Sequence, residues 1–264
     1  MADAPAPNVT VDRRAGGIAT IVIDRPAKLN ALDGVTLREL KAALERLAGD
    51  PEVRVLVVTG SGEKAFSAGA DIAAMAAMPG PDGRAYSELG HAVMAAVENF
   101  PAPVLGVING VALGGGFELA LACDLLIASS RARLGQPEIN LGLIPGFGGT
   151  QRLVRRIGQT RAREIIYLGH MIGAEEALRI GLVNRVVAPD QLATEARALA
   201  ADLAAKAPLA LAQAKRATAV ATDVDLASGC RFEADAFAVT FAAADRVEGL
   251  TAFLEKRPPR WKGR

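Results

Sequence analysis

Three short apolar runs, Val53 to Thr59, Val104 to Ile108 and Leu125 to Ala128, punctuate the first half of the chain, with helical stretches such as Gly83 to Phe100 between them. Runs this short and this apolar read as buried strands, and strands that alternate with helices need crossover connections between roughly parallel neighbours. The chain is therefore held to an α/β architecture. Ahead of these runs, Val9 to Arg14 and Ile18 to Asp24 flank Gly16-Gly17 in the pattern of a hairpin. Leu32 to Ala48 carries Val35, Leu37, Leu40, Leu44 and Leu47 at helical spacing, and Asp33 can cap its start. After a strand-like Val183 to Val187 the character changes. Asp190 to Lys256 is rich in alanine and leucine and reads as three or four helices, with breaks near Pro208, Thr222 to Asp225 and Asp245. The pattern predicts an α/β core over residues 1–199 and a helical region over residues 200–264, with no internal repeat and no long linker. Lys256 to Arg264, with five positive charges and two prolines, reads as an exposed tail.

Composition removes several classes of function. Apolar residues make up 51% of the 264 positions and charged residues 22%, which excludes a disordered chain. Thirty basic side chains balance twenty-nine acidic ones, so no basic surface for nucleic acid is expected. No apolar stretch reaches the length of a membrane span. Two cysteines, Cys123 and Cys230, cannot build a disulfide framework, and both read as inert core thiols suited to a reducing cytosol. Two histidines, His91 and His170, argue against a histidine-rich metal site. Met1 to Asn8 has neither the apolar run of a signal peptide nor the basic pattern of a transit peptide, and reads as a loose tail.

Familiar catalytic motifs are missing. There is no glycine-rich loop ending in Gly-Lys-Ser/Thr, and the clusters Gly114-Gly115-Gly116 and Gly146-Phe147-Gly148-Gly149 do not have dinucleotide-fingerprint spacing. Ala65-Phe66-Ser67-Ala68-Gly69 lacks the first glycine of a nucleophile elbow. His91 reads as a helix-surface residue, and His170 as a complement to a helix end.

Three segments carry the chemistry: Phe66 to Ile72, Asn109 to Asp124 and Gly135 to Gly146. In the second, three glycines open a helix whose free N–H groups make a seat for a negative oxygen. Glu118 lies in the first turn of that helix among Phe, Leu and Ala, where a carboxylate is costly unless something uses or satisfies it. Its plainer reading is a complement to the helix N-terminus. Glu138 stands between Pro137 and an apolar stretch, and its plainer reading is a loop carboxylate paired with a base such as Arg152. Together, beside an anion seat, the two glutamates suggest a general acid and base.

These segments resemble those of the crotonase (enoyl-CoA hydratase/isomerase) superfamily. Arg25 to Leu32, Gly146 to Leu153, Ala174 to Val187 and Ala252 to Arg257 extend the likeness over nearly the whole chain. The resemblance implies a spiral of ββα units followed by a helical trimerisation region, with trimers that pair into hexamers. It implies that the Ala68 and Gly115 N–H groups bind the thioester oxygen of an acyl-CoA, that Glu118 activates water, and that Glu138 exchanges the α-proton. Ala68, Gly69, Ala70, Asp71 and Ile72 would line the adenine and pantetheine path. Lys28 and Gly146, with Phe253 and Lys256 of a neighbouring subunit, would add substrate contacts. Both glutamates being present favours hydration of a 2-enoyl-CoA over 3-enoyl to 2-enoyl isomerisation, and over a non-catalytic RNA-binding role. The resemblance further implies a cytoplasmic enzyme with no metal and no cofactor beyond the CoA of its substrate.

Overall fold

The computed structural model describes residues 6–264, so the first five residues of the tail expected over Met1 to Asn8 lie outside it. The chain runs β1 (Val9–Arg14), β2 (Ile18–Ile23), α1 (Gly34–Ala48), β3 (Val55–Gly60), β4 (Ala65–Ser67), α2 (Ile72–Ala76), α3 (Asp82–Glu98), β5 (Val104–Ile108), β6 (Val111–Leu113) and α4 (Gly115–Ala122). It continues through β7 (Leu125–Ser129), β8 (Arg133–Gly135), α5 (Gly149–Leu168), β9 (Met171–Gly173), α6 (Ala174–Arg179) and β10 (Arg185–Val187). Four helices close it: α7 (Leu192–Ala204), α8 (Pro208–Val220), α9 (Leu226–Ala242) and α10 (Ala244–Leu254). Single 3-10 turns lie at Pro26–Lys28 and Pro137–Leu141.

The main sheet has six strands in the order β1-β2-β3-β5-β7-β10, antiparallel only at the hairpin. Its central strands are apolar on both faces because both faces are covered. Leu56, Val58, Val104 and Leu126 point into the large core beneath α1, α3 and α4. The alternate residues Val55, Val57, Leu105 and Ile127 point the other way, against Leu192, Ala196, Leu199 and Ala200 of α7. Thus α7 runs across position 200 as part of the sheet's packing. The strand expected from Val53 begins at Val55 instead, because the Val53 N–H closes a turn onto Asp50 O (3.1 Å).

A second sheet was not visible in the sequence. It has the order β4-β6-β8-β9, with three residues in each strand. Each of its first three strands follows a long strand of the main sheet, β3 to β4, β5 to β6 and β7 to β8, and each pair then leads into helix. These are repeated ββα units without sequence repetition, so the expectation of no internal repeat holds for the sequence and not for the structure. Each of the three site segments includes the end of one of these short strands and the turn that follows it.

Helices α8 to α10 lie outside the core and bury little of their own surface: none of α8, Ala236 alone of α9, and Asp245 and Ala252 of α10. Lys215 ties α8 to the core through Asp124 Oδ2 (2.8 Å) and the Ala102 carbonyl (3.4 Å). Cys123 is buried as expected, but Cys230 is exposed, because α9 has no covering layer on that side. Among the described residues no helix is long and apolar enough to cross a membrane.

The final segment is mostly exposed, as expected, and it is also tied to the surface by hydrogen bonds. The buried carboxylate of Asp245 accepts from Lys262 N (2.7 Å) and Gly263 N (2.8 Å). Trp261 donates to Ala205 O (2.8 Å), and Arg257 pairs with Glu248 (2.7 Å). Hydrogen bonds from amides to a charged group contribute about 1.5–3 kcal/mol each. Asp245→Ala is therefore expected to lower stability by roughly 2–4 kcal/mol in urea unfolding and to expose the last residues to carboxypeptidase. Unchanged stability and protease resistance would show that the tail is held elsewhere.

Candidate active site

Helix α4 is buried along its whole length, and its entry from β6 is set by glycine. Gly114 has φ +49 and ψ −128, a conformation that L side chains avoid, and a β-carbon there would stand 3.0 Å from Glu138 Oε1. Gly114 donates to Gly135 O (3.0 Å), and Glu118 N begins the helical ladder at Gly114 O (2.9 Å). The Gly115, Gly116 and Phe117 amides therefore lack intrahelical partners.

The segment after β4 faces this helix end. Ala68 N–H donates to Leu29 O (2.9 Å), and Gly69 N–H to Ser67 Oγ (3.2 Å). Asp71 N–H donates to Leu32 O (3.1 Å), and Gly69 O accepts from Leu32 N (2.7 Å). Of the amides from Ala68 to Asp71, only that of Ala70 has no acceptor among the described residues. It approaches Gly115: a β-carbon on Gly115 would lie 3.7 Å from Ala70 N. Gly69, at φ +92, is required between them, since its β-carbon would meet Leu113 O at 2.6 Å and Gly115 N at 3.2 Å. This corrects the expected donor pair. The Ala68 amide is already spent on Leu29, and the free pair is Ala70 with Gly115.

Glu118 is 1% exposed, and its Oε1 accepts from Phe147 N (2.8 Å) and Gly149 N (2.6 Å) at the start of α5. Burial raises its pKa above the ordinary carboxylate value, against the lowering effect of these amides and of Arg152. Glu138 sits half-buried in the Pro137–Leu141 turn. Burial, with the charge of Glu118 adding to it, pushes its pKa up to about 7. Gln136, fully buried, lies inside the segment Gly135 to Gly146, where the sequence assigns it no role. With its amide oriented to suit its neighbours, it donates to Glu138 Oε1 (2.9 Å) and Oε2 (3.1 Å). Nothing in sequence alone marks this contact, because it depends on the sharp turn at Pro137. Arg152, the plainer partner for Glu138, pairs with Glu98 instead (2.8 Å). Arg156 of α5 donates to Leu121 O (3.1 Å) and Cys123 O at the far end of α4, so α5 holds α4 at both ends.

The remaining residues singled out in the sequence fall into two places. Asp71 caps α2 through Ala74 N (3.3 Å) and receives Lys28 Nζ (3.0 Å) and Arg25 (3.2 Å). The hydrogen bond from Lys28 holds the Asp71 carboxyl below its usual pKa. Lys28 and Ile72 remain exposed beside it, and Gly146 O accepts from Ser87 Oγ (2.5 Å). Phe253 and Lys256, by contrast, lie at the end of α10, exposed and outside the elements that carry the glutamates. Among the described residues no group of three or more His, Cys, Asp or Glu could hold a metal ion.

The raised Glu138 pKa has a consequence for stability. The folded protein binds this proton more tightly than the unfolded chain. Its contribution is thus full below the ordinary value of 4.5 and is lost as pH rises through about 7. Glu138→Gln carries no such penalty, so its Tm relative to the parent is expected to rise from about pH 5 to about pH 8. A Tm difference independent of pH would mean that Glu138 is solvated like a surface carboxylate.

The family profile described as Enoyl-CoA hydratase/isomerase matches residues 13–264. The chain is 46% identical over 240 residues to a crotonyl-CoA hydratase of Syntrophomonas wolfei, covering 91% of this chain and 92% of that protein. It is 43% identical over 250 residues to a short-chain-enoyl-CoA hydratase of Clostridium acetobutylicum, covering 95% and 96%. The crystal structure of an enoyl-CoA hydratase from Bacillus anthracis superposes with a TM-score of 0.95 at 42% identity, covering 97% of this chain and all of that one. With the ββα units, the paired amides and the two glutamates in place, the chain belongs to the enoyl-CoA hydratase/isomerase family.

Proposed function

We propose that the protein is an enoyl-CoA hydratase, adding water reversibly to a 2-enoyl-CoA thioester to give a 3-hydroxyacyl-CoA. The observation that carries this reading is that Glu118 and Glu138, both with raised pKa, lie beside the two unpartnered amides of Ala70 and Gly115.

When water attacks the β-carbon, electron density moves through the conjugated system onto the thioester oxygen. Amides aimed at that oxygen stabilise the enolate-like transition state more than the substrate. Each such donor supplies about 3 kcal/mol in comparable sites. The N-terminus of α4 adds its dipole at Gly115. Glu118, with Oε1 fixed by two amides, presents its other oxygen to the water, while Glu138 delivers the α-proton. The addition leaves one proton shared between the two carboxyls at the start and at the end, so the same dyad serves both directions. Water addition transfers no electrons, so the proposal needs no redox cofactor, and it draws on no metal; CoA belongs to the substrate. Lys28, Asp71 and Ile72 would border the path of its nucleotide.

The same reading includes a cytoplasmic homotrimer, or a hexamer of two trimers. It is supported by the uncovered apolar side chains of Leu226, Phe237, Phe241, Leu250, Phe253 and Leu254, each more than half exposed on α9 and α10. In such an assembly the region from residue 200 serves oligomerisation, and Phe253 and Lys256 reach the substrate of a neighbour.

Hydration of crotonyl-CoA abolishes its conjugated chromophore, so loss of ultraviolet absorbance measures it directly. Glu138→Gln is expected to lower kcat by ~10²–10⁴-fold with KM little changed. Turnover near that of the parent would reject the role given to Glu138. Failure of the parent to consume crotonyl-CoA while converting 3-enoyl to 2-enoyl thioesters would make the protein an isomerase.

A further inference from the structure

Phe147 is buried, and the peptide groups on both sides of its Cα are pinned. Its N–H is held by Glu118 Oε1 (2.8 Å) and its carbonyl by Arg152 Nη1 (3.1 Å). Its ring is slotted between two glycines on different helices. A β-carbon on Gly115 of α4 would stand 2.8 Å from Cε2 and 2.9 Å from Cδ2 of the ring. On the opposite edge, a β-carbon on Gly90 of α3 would overlap Cδ1, Cε1 and Cγ. One helical turn before Gly90, Tyr86 meets the ring edge-on, with centroids 5.3 Å apart, and its own hydroxyl is tied to Leu32 O (2.6 Å). Such a ring has no empty rotamer to retreat into.

The ring also lies against Gly115, the residue whose amide would hold the thioester oxygen. With the thioester oxygen at Gly115 and the β-carbon beside the water of Glu118, the next atoms of the acyl chain run past Glu118. Phe147 is tied to both groups, its ring against Gly115 and its amide on Glu118 Oε1. We propose that Phe147 sets the acyl-chain length the enzyme accepts, and that Gly90 is the vacancy in α3 that lets the ring close the acyl path. This rests on the hydratase reading and extends it to the substrate class: short 2-enoyl chains fit, and longer ones meet the ring.

The test compares kcat/KM for 2-octenoyl-CoA and crotonyl-CoA, both followed by loss of conjugation. The parent is expected to favour crotonyl-CoA. In Phe147→Ala the octenoyl-to-crotonyl ratio is expected to rise by about 10-fold or more, the scale on which hydrophobic pockets discriminate even single methylene groups. Adding Gly90→Leu to that variant refills the space from α3 and is expected to bring the ratio back toward the parent, which general loosening of the site would not do. If Phe147→Ala does not fold, Phe147→Leu gives the same comparison with a smaller rise.

A ratio unchanged within about twofold, in a folded variant that still turns over crotonyl-CoA, would overturn the proposal. So would a parent equally active on both thioesters, although the hydratase reading would then stand. A parent that hydrates neither thioester would overturn the hydratase reading, and this proposal with it.

Discussion

A carboxylate buried in the first turn of an apolar helix organises this molecule. Removing an ion from water costs several kcal/mol, and Glu118 recovers part of that through two amide hydrogen bonds to one oxygen. Those amides belong to Phe147 and Gly149, so the bonds that make the charge tolerable also fix the start of α5 against the start of α4. Arg156 answers from α5 by capping the carbonyls at the other end of α4. The two helices are locked in register by groups of opposite charge at opposite ends. The recovery is incomplete, because burial still raises the Glu118 pKa. That imbalance suits a group that must give and take a proton.

The two sheets divide the labour. The long strands are apolar on both faces and bury their side chains in two cores, so they hold the frame. The three-residue strands add only a few side chains to the core, among them Phe66, Ala112 and Leu134, but the first three each aim a loop. β4 releases the turn that frees the Ala70 amide, β6 releases Gly114 to Glu118, and β8 releases Gln136 to Glu138. The groups of the site thus come from three consecutive units of one repeated motif. All of them lie where parallel strands end, the position at which open α/β sheets present binding groups.

The sequence showed the frame well and the site in part, for physical reasons that differ residue by residue. Val104 to Ile108 was legible because a doubly covered strand must be continuously apolar. The start of α1 was legible because Asp33 does what a capping residue does, accepting from Thr36 N (2.8 Å). Glu118 stood out by contrast with its neighbours. Strands of three residues have too few positions to show a period, so the second sheet was invisible. The choice between Ala68 and Ala70 turns on one hydrogen bond to Leu29, far back in the chain and in a left-handed conformation, and no local pattern encodes it. Charge and proline made the exposure of the tail legible, while its anchors are backbone amides that have no sequence signature.

Phe147 joins the two things that an enzyme of this kind must separate. Its amide helps to hold the Glu118 carboxylate, and its ring lies against Gly115, the residue whose amide faces the reacting oxygen. Chemistry uses the backbone of this residue, and selection uses the side chain. Because the peptide groups on both sides of its Cα are pinned, the side chain can change identity without moving the amide. Gly90 makes the arrangement possible from another helix, since any side chain there would have to enter the space the ring now fills. Acyl-chain preference can therefore drift by substitution at two positions, one in a glycine-flanked turn and one on α3, while the carboxylate and its two amide donors stay where they are.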